Sequence, residues 1–116
     1  MSGRCRTAIN TERDGGWMTI WLNEPERRNP LSGALLEETL RVLAEVRDDR
    51  SVRGIVFRGR GRVFSAGGDL RQFQEFNRAG KREPVLAKSR EIARLLDAVA
   101  EAPQITVASA TITPLK

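Results

Sequence analysis

Ser65-Ala66-Gly67-Gly68-Asp69 is nearly bare of side chains until its aspartate. A backbone this uncovered lets a ligand approach closely, and its N–H groups can point at an anionic oxygen. Leu70, Phe73 and Phe76 follow at three-residue spacing, which predicts a short helix over Leu70–Phe76 with the bare loop just ahead of its N-terminus. A helix N-terminus carries partial positive charge and stabilises a developing negative charge. Asp69 suits the work of a cap or loop organiser better than that of a general base. A glycine pair is also common in plain surface turns, so the loop alone is a weak signal.

The elements around the loop must position it. Ile55-Val56-Phe57, bounded by Gly54 and Gly59, reads as a central strand covered on both faces. Thr7–Glu12 and Trp17–Leu22 read as two earlier strands, with Asp14-Gly15-Gly16 as the hairpin turn. Large apolar groups on both faces of Trp17–Leu22 predict burial on both sides. A helix is expected from about Ser32, a good N-cap, to near Asp48-Asp49, with Leu35, Leu36, Leu40, Leu43 and Val46 as its apolar stripe. Strand, helix and strand in this order form a crossover unit. Asn77–Pro84 reads as a polar, mobile loop broken by Gly80 and Pro84. A second amphipathic helix follows over Val85–Ala100. Its apolar side carries Val85, Ile92, Leu95, Leu96 and Val99; Lys88, Arg90, Glu91, Arg94 and Asp97 are expected to be largely solvated. Ile105–Ala108 reads as a last strand, making the chain α/β.

Composition narrows the chemistry. The 116 residues include no histidine, which removes histidine-based triads and the commonest metal ligand from this chain. Cys5 is the single cysteine, so there is no intrachain disulfide and no cysteine metal cluster. A formal charge of +5 favours anionic partners such as phosphorylated cofactors or nucleic acid. No apolar run is long enough to span a membrane, and Met1-Ser2-Gly3-Arg4 lacks the apolar core of a signal peptide, so a cytoplasmic location is expected.

Taken as one string, Asn23-Glu24-Pro25-Glu26-Arg27-Arg28-Asn29-Pro30-Leu31, the helix, Asp49–Val56 and Gly59–Leu70 resemble the N-terminal half of the enoyl-CoA hydratase/isomerase (crotonase) superfamily. The resemblance runs from about residue 7 to 108 and leaves 109–116 as a divergent tail. It implies a truncated crotonase-like (ClpP/crotonase) spiral of ββα units, forming one partial domain over 1–116. It also implies an acyl-CoA thioester whose carbonyl becomes an enolate-like oxyanion held by backbone N–H donors. By position, Gly68 would supply the first donor. Ala66, Gly67 and Leu70 would embrace the adenine and pantetheine, with Asp69 beside them, and Arg28 and Pro30 would flank the CoA. An arginine is chemically suited to its phosphates. No permanent cofactor is implied beyond coenzyme A as part of the substrate, and complete members form trimers or hexamers.

The chain also departs from the pattern. No glycine follows Gly80, so the glycine-rich turn that supplies the family's second donor has no counterpart here, nor do its usual acid/base residues. A truncated, weakly active or inactive acyl-CoA protein is therefore expected. The alternative is a non-enzymatic basic module binding nucleic acid or another anionic partner through Arg58, Arg60, Arg62, Lys81 and Arg82. It is disfavoured because no aromatic residue interleaves with the basic run.

Overall fold

The computed structural model describes residues 8–65, 67 and 70–109. Four strands form one sheet in the order β1-β2-β3-β4: β1 Ile9–Asp14, β2 Trp17–Leu22, β3 Gly54–Gly59 and β4 Ile105–Ser109. The β1–β2 pair is an antiparallel hairpin turning at Gly15-Gly16. The β2–β3 and β3–β4 pairs are parallel. The first strand begins two residues later than the sequence pattern suggests, because Ile9 pairs with Leu22 and Asp14 with Trp17 across the tight turn. Gly15 takes φ +62, a left-handed conformation that glycine adopts freely.

Helix α1 spans Gly33–Val46 and starts as expected, with the Ser32 hydroxyl accepting a hydrogen bond from the Leu35 amide at 3.2 Å. Its buried face carries Leu35, Leu36, Thr39, Leu43 and Val46. Beyond its end, the Gln104 Nε2 donates to the Val46 carbonyl at 2.6 Å, tying the helix terminus to the approach to β4. Helix α2 spans Leu70–Arg78 and packs against helix α3, Glu83–Glu101, which also packs against α1. The expected loop over Asn77–Pro84 is thus shorter. Pro84 lies inside the first turn of α3, where its missing N–H costs no bond.

Both long helices lie on one face of the sheet. Ile9, Met18, Ile20, Leu22 and Ile55 share that face and form one core with Leu35, Leu36, Leu43, Val46 and Leu95. Among the described residues the opposite face is open, which corrects the expectation that β2 and β3 are covered on both sides. Trp17 is 44% exposed and Ile105 67%, and Val107 is exposed beside them. Strand composition predicts a strand well but cannot say whether a second layer covers it. On that open face the Trp17 ring lies over Gly54, filling the space a Cβ would occupy. Trp21 is flanked by Arg58 and Arg60, whose guanidinium carbons lie 4.7 and 3.9 Å from the ring centroid.

Two side chains of α3 also differ from expectation. Lys88 is buried, at 6% exposure, because it lies one turn before Ile92 on the side facing α1, with its Nζ beside Gly33. Leu96 is 63% exposed, at the mouth of the cavity described below.

Candidate functional site

Strands β2, β3 and β4 run parallel, so their C-terminal ends meet at one edge of the sheet, the place where open α/β sheets characteristically bind ligands. Two segments leave this edge, 23–32 after β2 and one beginning at residue 60 after β3. The first turns through a 3-10 segment, Pro25–Arg27, capped by Arg28 in a left-handed conformation at φ +64; Asn29 follows at φ +51. Gly61 at φ +82 turns the second loop against Pro25, whose Cβ would lie 2.8 Å from a side chain placed there. Gly59 has even less room: a Cβ would sit 2.5 Å from the Phe64 carbonyl oxygen.

The two loops close on each other. Pro30 and Gly67 form a parallel β-bridge, and the Leu31 amide donates to the Gly67 carbonyl at 2.7 Å. The Gly67 amide donates to Ser65 Oγ at 3.0 Å, and the Ser65 hydroxyl donates to the Asn29 carbonyl at 2.7 Å. Gly67 takes φ +87, which disfavours any side chain even though the space around it is open.

Ser65 and Gly67 lie at the wall of an apolar cavity of about 360 Å³ between the sheet and the helices. Leu22, Phe57 and Ala108 line it from the ends of the three parallel strands. Leu35 and Thr39 come from α1, Ile92, Leu95, Leu96 and Val99 from α3, and Leu31 and Phe64 from the loops. Its size falls within the range of small-molecule pockets. With so few polar groups in the lining, it favours an apolar group over a charged one.

Of the residues singled out in the sequence, the structure brings Pro30 and Gly67 into direct contact and leaves Arg28 exposed two residues before Pro30. Ala66, Gly68 and Asp69 lie outside the described residues, as does the 110–116 tail. Leu70 is the first residue of α2. Sequence reasoning missed Asn29, which is buried between the two loops. The available signal was a short amide in a proline-flanked polar loop, a residue type that tolerates the left-handed region and can bond backbone groups. It also missed the cavity, whose lining is scattered from Leu22 to Ala108. Among the described residues, no cluster of histidine, cysteine, aspartate or glutamate could hold a metal. None of the described helices is long and apolar enough to cross a membrane.

Residues 12–111 match the family model for enoyl-CoA hydratase/isomerase. The chain belongs to that family. A putative enoyl-CoA hydratase from Thermus thermophilus is 39% identical over 90 residues, covering 78% of this chain and 35% of that protein. A 4-chlorobenzoyl coenzyme A dehalogenase from an Arthrobacter species is 43% identical over 72 residues, covering 62% of this chain and 26% of that protein. Among solved structures, Pseudomonas aeruginosa AtuE superposes with a TM-score of 0.79 at 40% identity, covering 87% of this chain and 39% of that one. The enoyl-CoA hydratase from Bacillus anthracis does so with a TM-score of 0.78 at 30% identity, over 88% and 39%. The chain thus carries a crotonase-type fold and spans about a third, or less, of the length of these curated relatives.

Proposed function

We propose that this enoyl-CoA hydratase/isomerase family chain holds an acyl-CoA thioester with its apolar acyl group in the cavity and its carbonyl against the backbone of the 65–69 loop. The observation that carries this reading is the Pro30–Gly67 bridge, which fixes a side-chain-poor loop at the wall of an apolar cavity. Gly68 follows Gly67 directly. On this reading its amide donates to the thioester oxygen as negative charge develops there. A backbone donor suits the task because the fold sets its direction and it has no proton to lose at neutral pH. One such donor is typically worth about 3–4 kcal/mol of barrier. Arg28 and Pro30 flank the CoA, Ala66, Gly67 and Leu70 embrace its adenine and pantetheine, and Asp69 organises the loop. The same arrangement suits several reactions that pass through a thioester oxyanion. Two relatives bear names for different chemistry on CoA esters, a hydratase and a dehalogenase, which supports a shared ester-holding site.

The test is a titration of the chain with octanoyl-CoA, free CoA and single-stranded RNA at two salt concentrations. Octanoyl-CoA is expected to bind more tightly than free CoA, because each buried methylene adds about 0.8 kcal/mol. Tight RNA binding with a steep salt slope, and no binding of either CoA species, would overturn the proposal.

A further inference from the structure

Asn29 is 0% exposed, although it sits in a polar loop between two prolines. Its carboxamide serves three backbone groups drawn from both loops. Oδ1 accepts from the Glu24 amide at 2.8 Å, and Nδ2 donates to the carbonyls of Arg60 at 3.0 Å and Val63 at 2.8 Å. Its own carbonyl accepts from the Ser65 hydroxyl, whose oxygen in turn accepts from the Gly67 amide. A continuous set of hydrogen bonds therefore runs from the loop carrying Arg28, through Asn29 and Ser65, to the amide one residue before Gly68.

The residue type follows from the geometry. Two donations and one acceptance from a short side chain are what a carboxamide offers. An aspartate would present lone pairs to two carbonyl oxygens, and an apolar residue would leave three buried backbone groups without that partner. The left-handed backbone at position 29 is a second constraint, one that asparagine meets better than most residues. A simple loop staple would account for the bonds to Arg60 and Val63. It would not account for the relay through Ser65, which reaches the bare stretch itself.

We propose that Asn29 is a positioning residue that fixes the 23–32 loop and the 60–67 loop as one unit, so that the Arg28 side and the amide donor stretch are set together. The functional half rests on the acyl-CoA reading above. The mechanical half, that Asn29 and Ser65 set the conformation of 63–67, does not.

The experiment uses the full chain as wild type, Ser65→Ala, Asn29→Asp and Asn29→Ala. Amide hydrogen exchange is followed over 60–67 and over β2–β3. Bound butyryl-CoA, labelled with carbon-13 at its thioester carbonyl, is followed by infrared spectroscopy. Ser65→Ala is expected to speed exchange over 63–67 about fivefold, the equivalent of one lost hydrogen bond, while leaving β2–β3 protected. It should also reverse part of the carbonyl frequency drop seen on binding to the wild type. Asn29→Asp is expected to do the same at neutral pH and to recover in part on acidification, since a protonated carboxyl can again donate to one of the two carbonyls. If Asn29→Ala does not fold, the milder Asn29→Asp decides for Asn29, and Ser65→Ala for the Ser65 link. Unchanged exchange over 63–67 in the folded variants overturns the proposal. So does an unchanged carbonyl frequency where butyryl-CoA binds. If wild type binds no butyryl-CoA, the acyl-CoA reading fails and the functional half falls with it, while exchange still decides whether Asn29 sets the loop.

Discussion

Replacing Thr39 by valine is expected to stabilise the chain. Thr39 lies in the middle of α1, 1% exposed, among Leu35, Leu36 and Leu43 on the helix's buried face. A helical threonine commonly bonds the carbonyl four residues back, but the Thr39 hydroxyl oxygen has no hydrogen-bond partner among the described residues. Burying a hydroxyl without a partner costs about 1–3 kcal/mol by mutational measures. Valine has nearly the same shape and about the same helix propensity, and it replaces the stranded oxygen with a methyl group. A gain of about 1–2 kcal/mol follows. For a chain of this length that corresponds to a rise in Tm of about 3–6 °C per kcal/mol. Calorimetry and urea unfolding of wild type, Thr39→Val and Thr39→Ser would measure it. The serine variant keeps the hydroxyl and loses a buried methyl, so it should fall by about 1 kcal/mol. A valine variant less stable than wild type, or a serine variant as stable as the valine one, would refute the reasoning by showing that the hydroxyl is satisfied.

Other expectations follow from contacts already described. Gly59→Ala places a Cβ within 2.5–2.9 Å of Phe64 backbone atoms, which cannot swing aside as a side chain would; a loss of about 2–3 kcal/mol in urea unfolding is expected, with faster amide exchange over 60–64. Gln104→Ala removes the bond to the Val46 carbonyl, but also a buried Oε1 that has no partner among the described residues, so a net loss of about 0.5–1.5 kcal/mol is expected, read as a lower Tm. Asp49 is held below its ordinary carboxyl pKa, first by hydrogen bonds from the Ser51 hydroxyl and amide, with Arg13 adding to the effect. Its folded value being depressed, the contribution of this turn is present above the unfolded-state pKa and is lost as pH falls through the folded one. An NMR titration of the Ser51 amide should show that transition, and Asp49→Asn should abolish it.

The sequence carried the local structure where one residue dictates one interaction. Ser32 announced the start of α1, and the leucines at 35, 36 and 43 turned inward as their spacing required. The strands were legible from their β-branched and aromatic runs, but their surroundings were not. Trp17 and Val107 resemble core residues in any one-dimensional reading, yet they lie on an uncovered face. Lys88 shows the reverse, a charge on the apolar side of a helix whose long stem is buried against α1. At the candidate site the glycines and prolines pointed to the two loops. Their closure at Pro30 and Gly67 depends on Asn29, whose partners lie five residues back and more than thirty ahead in the chain. Bonds of that range leave no periodic trace in the sequence.

The open side of the sheet has an optical consequence. Both tryptophans of the chain, Trp17 and Trp21, stand on it, and neither lines the apolar cavity. Indole emission will therefore report on that uncovered surface: acrylamide should quench Trp17 readily, and anything that came to lie on the sheet would shift the spectrum toward the blue. A ligand entering between the helices and the strands would leave the signal almost unchanged, so a silent fluorescence titration would say nothing against binding there.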